Sequence, residues 1–125
     1  MLTTLVWIMF AGGFGALSRY LLAGLVHRFW ATSFPVGTFV VNMVGCLLFG
    51  LIWTLAEERF LLDSQTRIIV FTGFLGAFTT FSTFIFESGS LLRYDQFVFA
   101  MINIVGQNVI GLVFLLVGIA LARLF

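Results

Sequence analysis

Four apolar stretches, separated by three short polar connectors, organise this 125-residue chain. A spanning helix needs about 20 consecutive, mostly apolar residues. The stretches at about 2–26, 35–56, 68–88 and 97–122 meet that length. The connectors, 27–34, 57–67 and 89–96, hold nearly all the charge and leave no room for a soluble domain. The pattern predicts an all-α membrane protein, residues 1–125 forming one four-helix transmembrane domain. Met1 to Phe10 lacks the basic start of a secretory signal, so it reads as the beginning of a retained first span.

The third stretch is the irregular one. Thr72 to Phe84 holds two glycines, five hydroxyl side chains and four phenylalanines in 13 positions. Glycine and β-branched threonine both weaken a helix, and a threonine hydroxyl can bond a carbonyl of the preceding turn. In hydrocarbon, freed backbone groups must be satisfied within protein or around a bound species. The segment therefore predicts a broken third helix.

Polar residues on the other stretches fall into register with it. Thr38 and Asn42, four apart, share one face of the second helix. Asn42 reads either as a hydrogen-bonded link between helices or, beside a hydroxyl-rich break, as part of a transport path. Asn103 and Gln107 share a face of the fourth helix and suggest a polar track, with Asn108 offset. Phe81 and Phe84 lie three apart, interleaved with Thr80, Ser82 and Thr83, which a stripe facing only lipid would not carry. Glu87, one turn on, reads as a structural hydrogen bond or ion pair. Arg19 lies well inside the first span, where a charge marks either a functional site or a side chain snorkelling to the interface. Gly12 and Ala16 suit close helix packing, Gly15 lies on a neighbouring face, and Gly106, Gly111 and Gly118 resemble packing positions. The near-fingerprint Gly13-x-Gly15-x-x-Ser18 lacks its third glycine and a preceding strand, so it is no dinucleotide site.

Composition narrows the functional classes. The chain is 62% hydrophobic and 9% charged, against about 25% charged in soluble domains. It has no lysine and a net charge of +1, so no nucleic-acid surface is expected. Cys46 is the single cysteine, and no nucleophile–base pair or metal-ligand cluster emerges, so the chain reads as no enzyme. With an even number of spans, Arg59, Arg67 and Arg123 share one side and Arg28 and Arg93 the other. That bias is negligible under the positive-inside rule. Either one orientation wins by other means, or the chain inserts both ways and two copies associate antiparallel, as inverted repeats do around a midplane path.

Three motifs then align: Gly12-Gly13-x-Gly15-Ala16-x-x-Arg19-Tyr20, Pro35-x-Gly37-Thr38-x-x-x-Asn42, and Gly73-Phe74-Leu75-Gly76-x-x-Thr79-Thr80-Phe81-Ser82-Thr83-Phe84. Together, over the whole chain, they resemble the CrcB/Fluc family of fluoride channels. The resemblance implies a dual-topology homodimer of antiparallel subunits in the bacterial cytoplasmic (inner) membrane. It implies two pores passing fluoride passively, which reduces fluoride toxicity, and a central structural sodium ion on the backbone carbonyls of Gly76 and Thr79. By motif position, Phe81 and Phe84 are the pore-lining rings, Asn42 the pore asparagine, Ser82 and Thr83 the hydroxyl pair, and Arg19 the first-helix arginine. The fourth helix departs from the family, offering Asn103, Gln107 and Gly111 where serine or threonine is usual.

The residue chemistry suits an anion. The Asn42 amide and the hydroxyls of Thr38, Ser82 and Thr83 are donors that replace hydration, and phenyl rings present a positive edge. The choice of fluoride over chloride rests on the resemblance. The rival reading is a small four-helix proton-coupled exporter of cationic compounds, which needs a protonatable carboxylate deep in the membrane. The carboxylates here sit in connectors or, as Glu87, near a span end. A scaffold subunit without transport explains the packing glycines but not the clustered hydroxyls and phenyls.

Overall fold

A computed structural model describes residues 1–59 and 61–125, and its regular elements are helices. Helix α1 spans Leu2–Phe29 and α2 spans Val36–Glu58. The third span, Ser64–Arg93, is composite. It opens with α3, Ser64–Ile68, and widens into a π-helical stretch, Ile69–Leu75. It then runs through the short α4, Gly76–Phe78, and resumes after two residues as α5, Phe81–Arg93. Helix α6 spans Phe97–Arg123. Among the described residues, four helices are thus long and apolar enough to cross a membrane.

The third span is longer at both ends than the apolar stretch that predicted it, and local chemistry accounts for each extension. At its start the Asp63 carboxylate accepts from the backbone N–H of Thr66 at 3.0 Å, capping α3. At its end Asp95 adopts the left-handed conformation, φ 57°. The N–H of Asp95 reaches the Leu92 carbonyl and that of Gln96 the Leu91 carbonyl, at 3.2 and 2.8 Å. These two bonds satisfy carbonyls that a helix end leaves bare, the Schellman arrangement, and turn the chain directly into α6.

Helices α2 and α6 pack through glycine. A Cβ on Gly50 would lie 2.2 Å from the Leu115 carbonyl oxygen, and one on Gly118 would lie 2.2 Å from that of Leu47. The contact is reciprocal, backbone against backbone, as small residues permit in membranes. On α1 the tightest position is Gly15, whose Cβ would stand 2.3 Å from the Phe74 carbonyl oxygen, while one on Gly12 would meet the Gly73 carbonyl oxygen at an ordinary contact distance of 3.7 Å. Gly12 thus packs against the third span, and the closest approach falls on the neighbouring face at Gly15. At the end shared by both termini, Arg123 binds the Glu58 carboxylate at 2.8 Å. There Arg67 pairs with Glu57 and donates to the Ala56 carbonyl at 2.7 Å, closing the C-terminus of α2.

Candidate functional site

The site begins where helical geometry stops. Thr79 (φ −81°, ψ 159°) and Thr80 (φ −149°, ψ 112°) are extended, between α4 and α5. Of the Gly76 to Thr79 stretch on which the resemblance places the sodium carbonyls, Gly76 is helical at φ −63°, ψ −32°, and Thr79, its last residue, is extended. The extended step has a cause. Asn42 of α2 accepts from the Thr80 N–H through Oδ1 at 2.9 Å and donates to the Thr80 carbonyl through Nδ2 at 3.1 Å. One amide thus grips both faces of one residue's backbone. Gly45, one turn further along α2, leaves the room: a Cβ there would sit 2.1 Å from the Thr79 methyl.

The carbonyls of Gly76 and Thr79 are among those that lose their helical partners at this step. The N–H four residues beyond Gly76 belongs to Thr80 and goes to Asn42. The N–H four beyond Thr79 belongs to Thr83 and goes to the Thr80 hydroxyl at 3.3 Å, capping α5. Gly76 and Thr79 are the pair on which the family resemblance places a cation. Carbonyls without helical N–H partners are the donor set that broken membrane helices offer to sodium. The residues fit such an ion.

Beyond the extended step, the two phenylalanines separate. Phe84 is buried, while Phe81 is 73% exposed, with ring centroids 5.6 Å apart and tilted by 56°. A cavity of about 300 Å³ runs beside them, walled by Asn42, Thr79, Thr80, Phe81, Phe84 and Gln107. A second, larger cavity of about 1290 Å³ is lined by Arg19, Thr38, Thr80, Thr83 and Glu87. Thr80 borders both. The structure thus gathers Asn42, Phe81 and Phe84 on one side of Thr80, and Arg19, Thr38 and Thr83 on the other. Ser82 lies on the exposed side of α5.

Hydrogen bonding decides which donors are free. Thr38 is committed, its hydroxyl donating to Glu87 Oε1 at 2.6 Å, the structural bond expected for Glu87. The Thr80 hydroxyl donates to that of Thr83 at 2.9 Å, which leaves the Thr83 hydrogen for another acceptor. The Asn42 amide has both hydrogens engaged, one by Thr80 and one by Gln107 Oε1 at 2.7 Å. Asn103 and Gln107 do share a face, but they turn inward: Asn103 is fully buried and Gln107 nearly so. Sequence reasoning gave no bonding role to two residues of the assembly. Thr80 was legible as a hydroxyl interleaved with the phenylalanines, and Ser88 as the end of an apolar stretch.

Comparison with known proteins agrees with the motifs. The profile of the family described as CrcB-like protein, Camphor Resistance (CrcB), matches residues 6–119. A protein of Nitrosococcus oceani named fluoride-specific ion channel FluC is 52% identical over 120 residues, 96% of each chain. Proteins of the same name from Maridesulfovibrio salexigens and Solidesulfovibrio magneticus are each 49% identical. The first covers 95% of this chain and 94% of its own length, the second 99% of both. With a profile match over nearly its whole length and relatives about half-identical end to end, this multi-pass membrane protein belongs to the CrcB family.

Proposed function

We propose that the chain is a fluoride-selective channel through which fluoride leaves a bacterial cell passively. It works as an antiparallel, dual-topology homodimer in the cytoplasmic membrane. The observation that carries this reading is the extended step at Thr79–Thr80, gripped by Asn42 and flanked by Phe81 and Phe84. It interrupts the third span beside a cavity, and irregular backbone in a membrane is tolerated where it is buried in protein or lines a water-filled cavity.

Arg19 sets a positive charge in the wall of the wide cavity, which concentrates anions at its mouth. From there the free hydroxyl hydrogen of Thr83, and that of Ser82 on the exposed side of α5, replace water around the ion. The edges of Phe81 and Phe84 carry positive potential and fit a small anion more closely than a large one. Asn42 acts mainly through the backbone: it holds Thr80 extended, and so sets the direction in which α5 leaves the break. A sodium ion on the Gly76 and Thr79 carbonyls supplies positive charge that offsets anion repulsion and ties two subunits together. Phe81 and Ser82 lie open on the subunit surface. A partner in the opposite orientation covers them and completes each path.

The exporter reading is weaker here. Glu87 is the acid within a span, and Thr38 holds its Oε1 at 2.6 Å. The proposal is tested by expressing the chain in a bacterium stripped of its own fluoride export. Growth in fluoride is expected to return, and to be lost with Phe84→Ile. Unrescued growth with the protein present in the membrane would overturn it.

A further inference from the structure

A line of hydrogen bonds runs from Thr80 through three helices and back to Phe84. Its direction is fixed at both ends by groups that cannot reverse. The Thr80 N–H can only donate, so Asn42 must present Oδ1 to it. The Asn42 Nδ2 then faces Gln107, which must answer with Oε1. That leaves Gln107 Nε2 to donate to Asn103 Oδ1 at 3.0 Å, and Asn103 Nδ2 to donate to the Ser88 hydroxyl at 2.9 Å. Ser88 has its own hydrogen left and gives it to the Phe84 carbonyl at 2.8 Å, which can only accept. Each side chain in the line uses its acceptor on one side and its donor on the other, so every member is satisfied in a single direction.

We propose that Gln107, Asn103 and Ser88 are positioning residues, acting with Asn42 as a one-way ladder that staples the first turn of α5. The two ends of the ladder, Thr80 and Phe84, bracket Phe81, Ser82 and Thr83. The ladder lies inside the subunit, with Asn103 at 0%, Ser88 at 3% and Gln107 at 8% exposure. In so dry a setting its bonds polarise one another, and loss of one link weakens the rest. The fourth helix therefore contributes by fixing the rings and hydroxyls, with Gln107 standing also in the wall of the smaller cavity. This inference rests on the channel reading for its functional consequence, though not for its geometry.

Polar residues that merely join helices would contribute independently, which separates the two roles. Ser88 and Gln107 do not bond each other and communicate only through Asn103. Gln107→Leu, Ser88→Ala, the double variant and Ser88→Thr are reconstituted as purified protein, and fluoride efflux is measured. Each single loss is expected to slow efflux about tenfold, on the scale of one hydrogen bond. The double variant should be no slower than the slower single, and Ser88→Thr, which keeps a hydroxyl, should match the parent. In parallel, spectra of protein carrying ¹⁵N-asparagine follow the Asn42 side-chain amide, which Ser88→Ala should shift from three links away. Additive losses, unchanged efflux in the single variants, or an unmoved Asn42 resonance would overturn the ladder. A parent protein that passes no fluoride while the resonance still shifts would instead overturn the channel reading and leave the ladder standing.

Discussion

Asn42 and Phe84 show how a few side chains set the character of the site. Asn42 is a lone amide in an apolar run, and its two bonds to Thr80 explain why the third span is extended there. The two rings differ in burial and should differ in what their loss does. Phe81 is exposed in the subunit, so Phe81→Ile should leave the stability of the fold within about 0.5 kcal/mol while slowing fluoride efflux. Phe84→Ile removes part of a buried ring and should cost about 1–2 kcal/mol as well as flux. Thermal unfolding in detergent, set beside efflux, checks the contrast. Asn42, Phe81 and Phe84 were legible because polar or aromatic residues at helical spacing stand out in apolar sequence. Thr80 and Ser88 were not: their roles come from partners 38 and 15 residues away, which no local pattern records.

Among the elements, the third span teaches the most. Its glycines and threonines pointed to a broken helix, and the resemblance put the break over Gly76 to Thr79. Gly76 is helical, and the extended step lies at the far end of that stretch, Thr79–Thr80. A tertiary contact, Asn42 taking the Thr80 N–H, places it. Gly45→Ala should therefore disturb the step from outside, because the added methyl meets Thr79. The expected loss is about 1–3 kcal/mol, as for other overpacked sites, together with slower efflux. At the far end Asp95 bears a positive φ; Asp95→Gly removes that strain and should raise stability by up to about 1 kcal/mol. At the near end, hydrogen bonds from the Thr66 side chain and backbone hold the Asp63 carboxyl below the usual carboxylate range. A depressed folded-state pKa stabilises above the unfolded value and is lost as pH falls through the folded one. The cap of α3 should thus weaken only under acid conditions, below the ordinary aspartate range. A melting curve that flattens there in Asp63→Asn but not in the parent is the check.

Taken as a whole molecule, the subunit is, in the proposed reading, one half of an antiparallel pair. Its four spans were plain from hydropathy, and so was the near balance of arginines across the membrane. The pairing of Arg67 with Glu57 and of Arg123 with Glu58 uses two of the three arginines on the termini side. Orientation follows the arginine count rather than net charge, so the proposed insertion in both orientations rests on the near-even distribution of arginines. Reporter fusions at the C-terminus should then signal from both sides of the membrane, and a one-sided signal would demand a second, oppositely oriented partner. The exposed Phe81 and Ser82, and the Gly76 and Thr79 carbonyls without helical partners, gain their full meaning in such a pair. The most direct test of the account is fluoride efflux from liposomes holding the purified dimer, followed with a fluoride electrode. Rapid efflux of fluoride with chloride retained is the predicted result; efflux no faster than from empty liposomes, with the dimer intact, would contradict it.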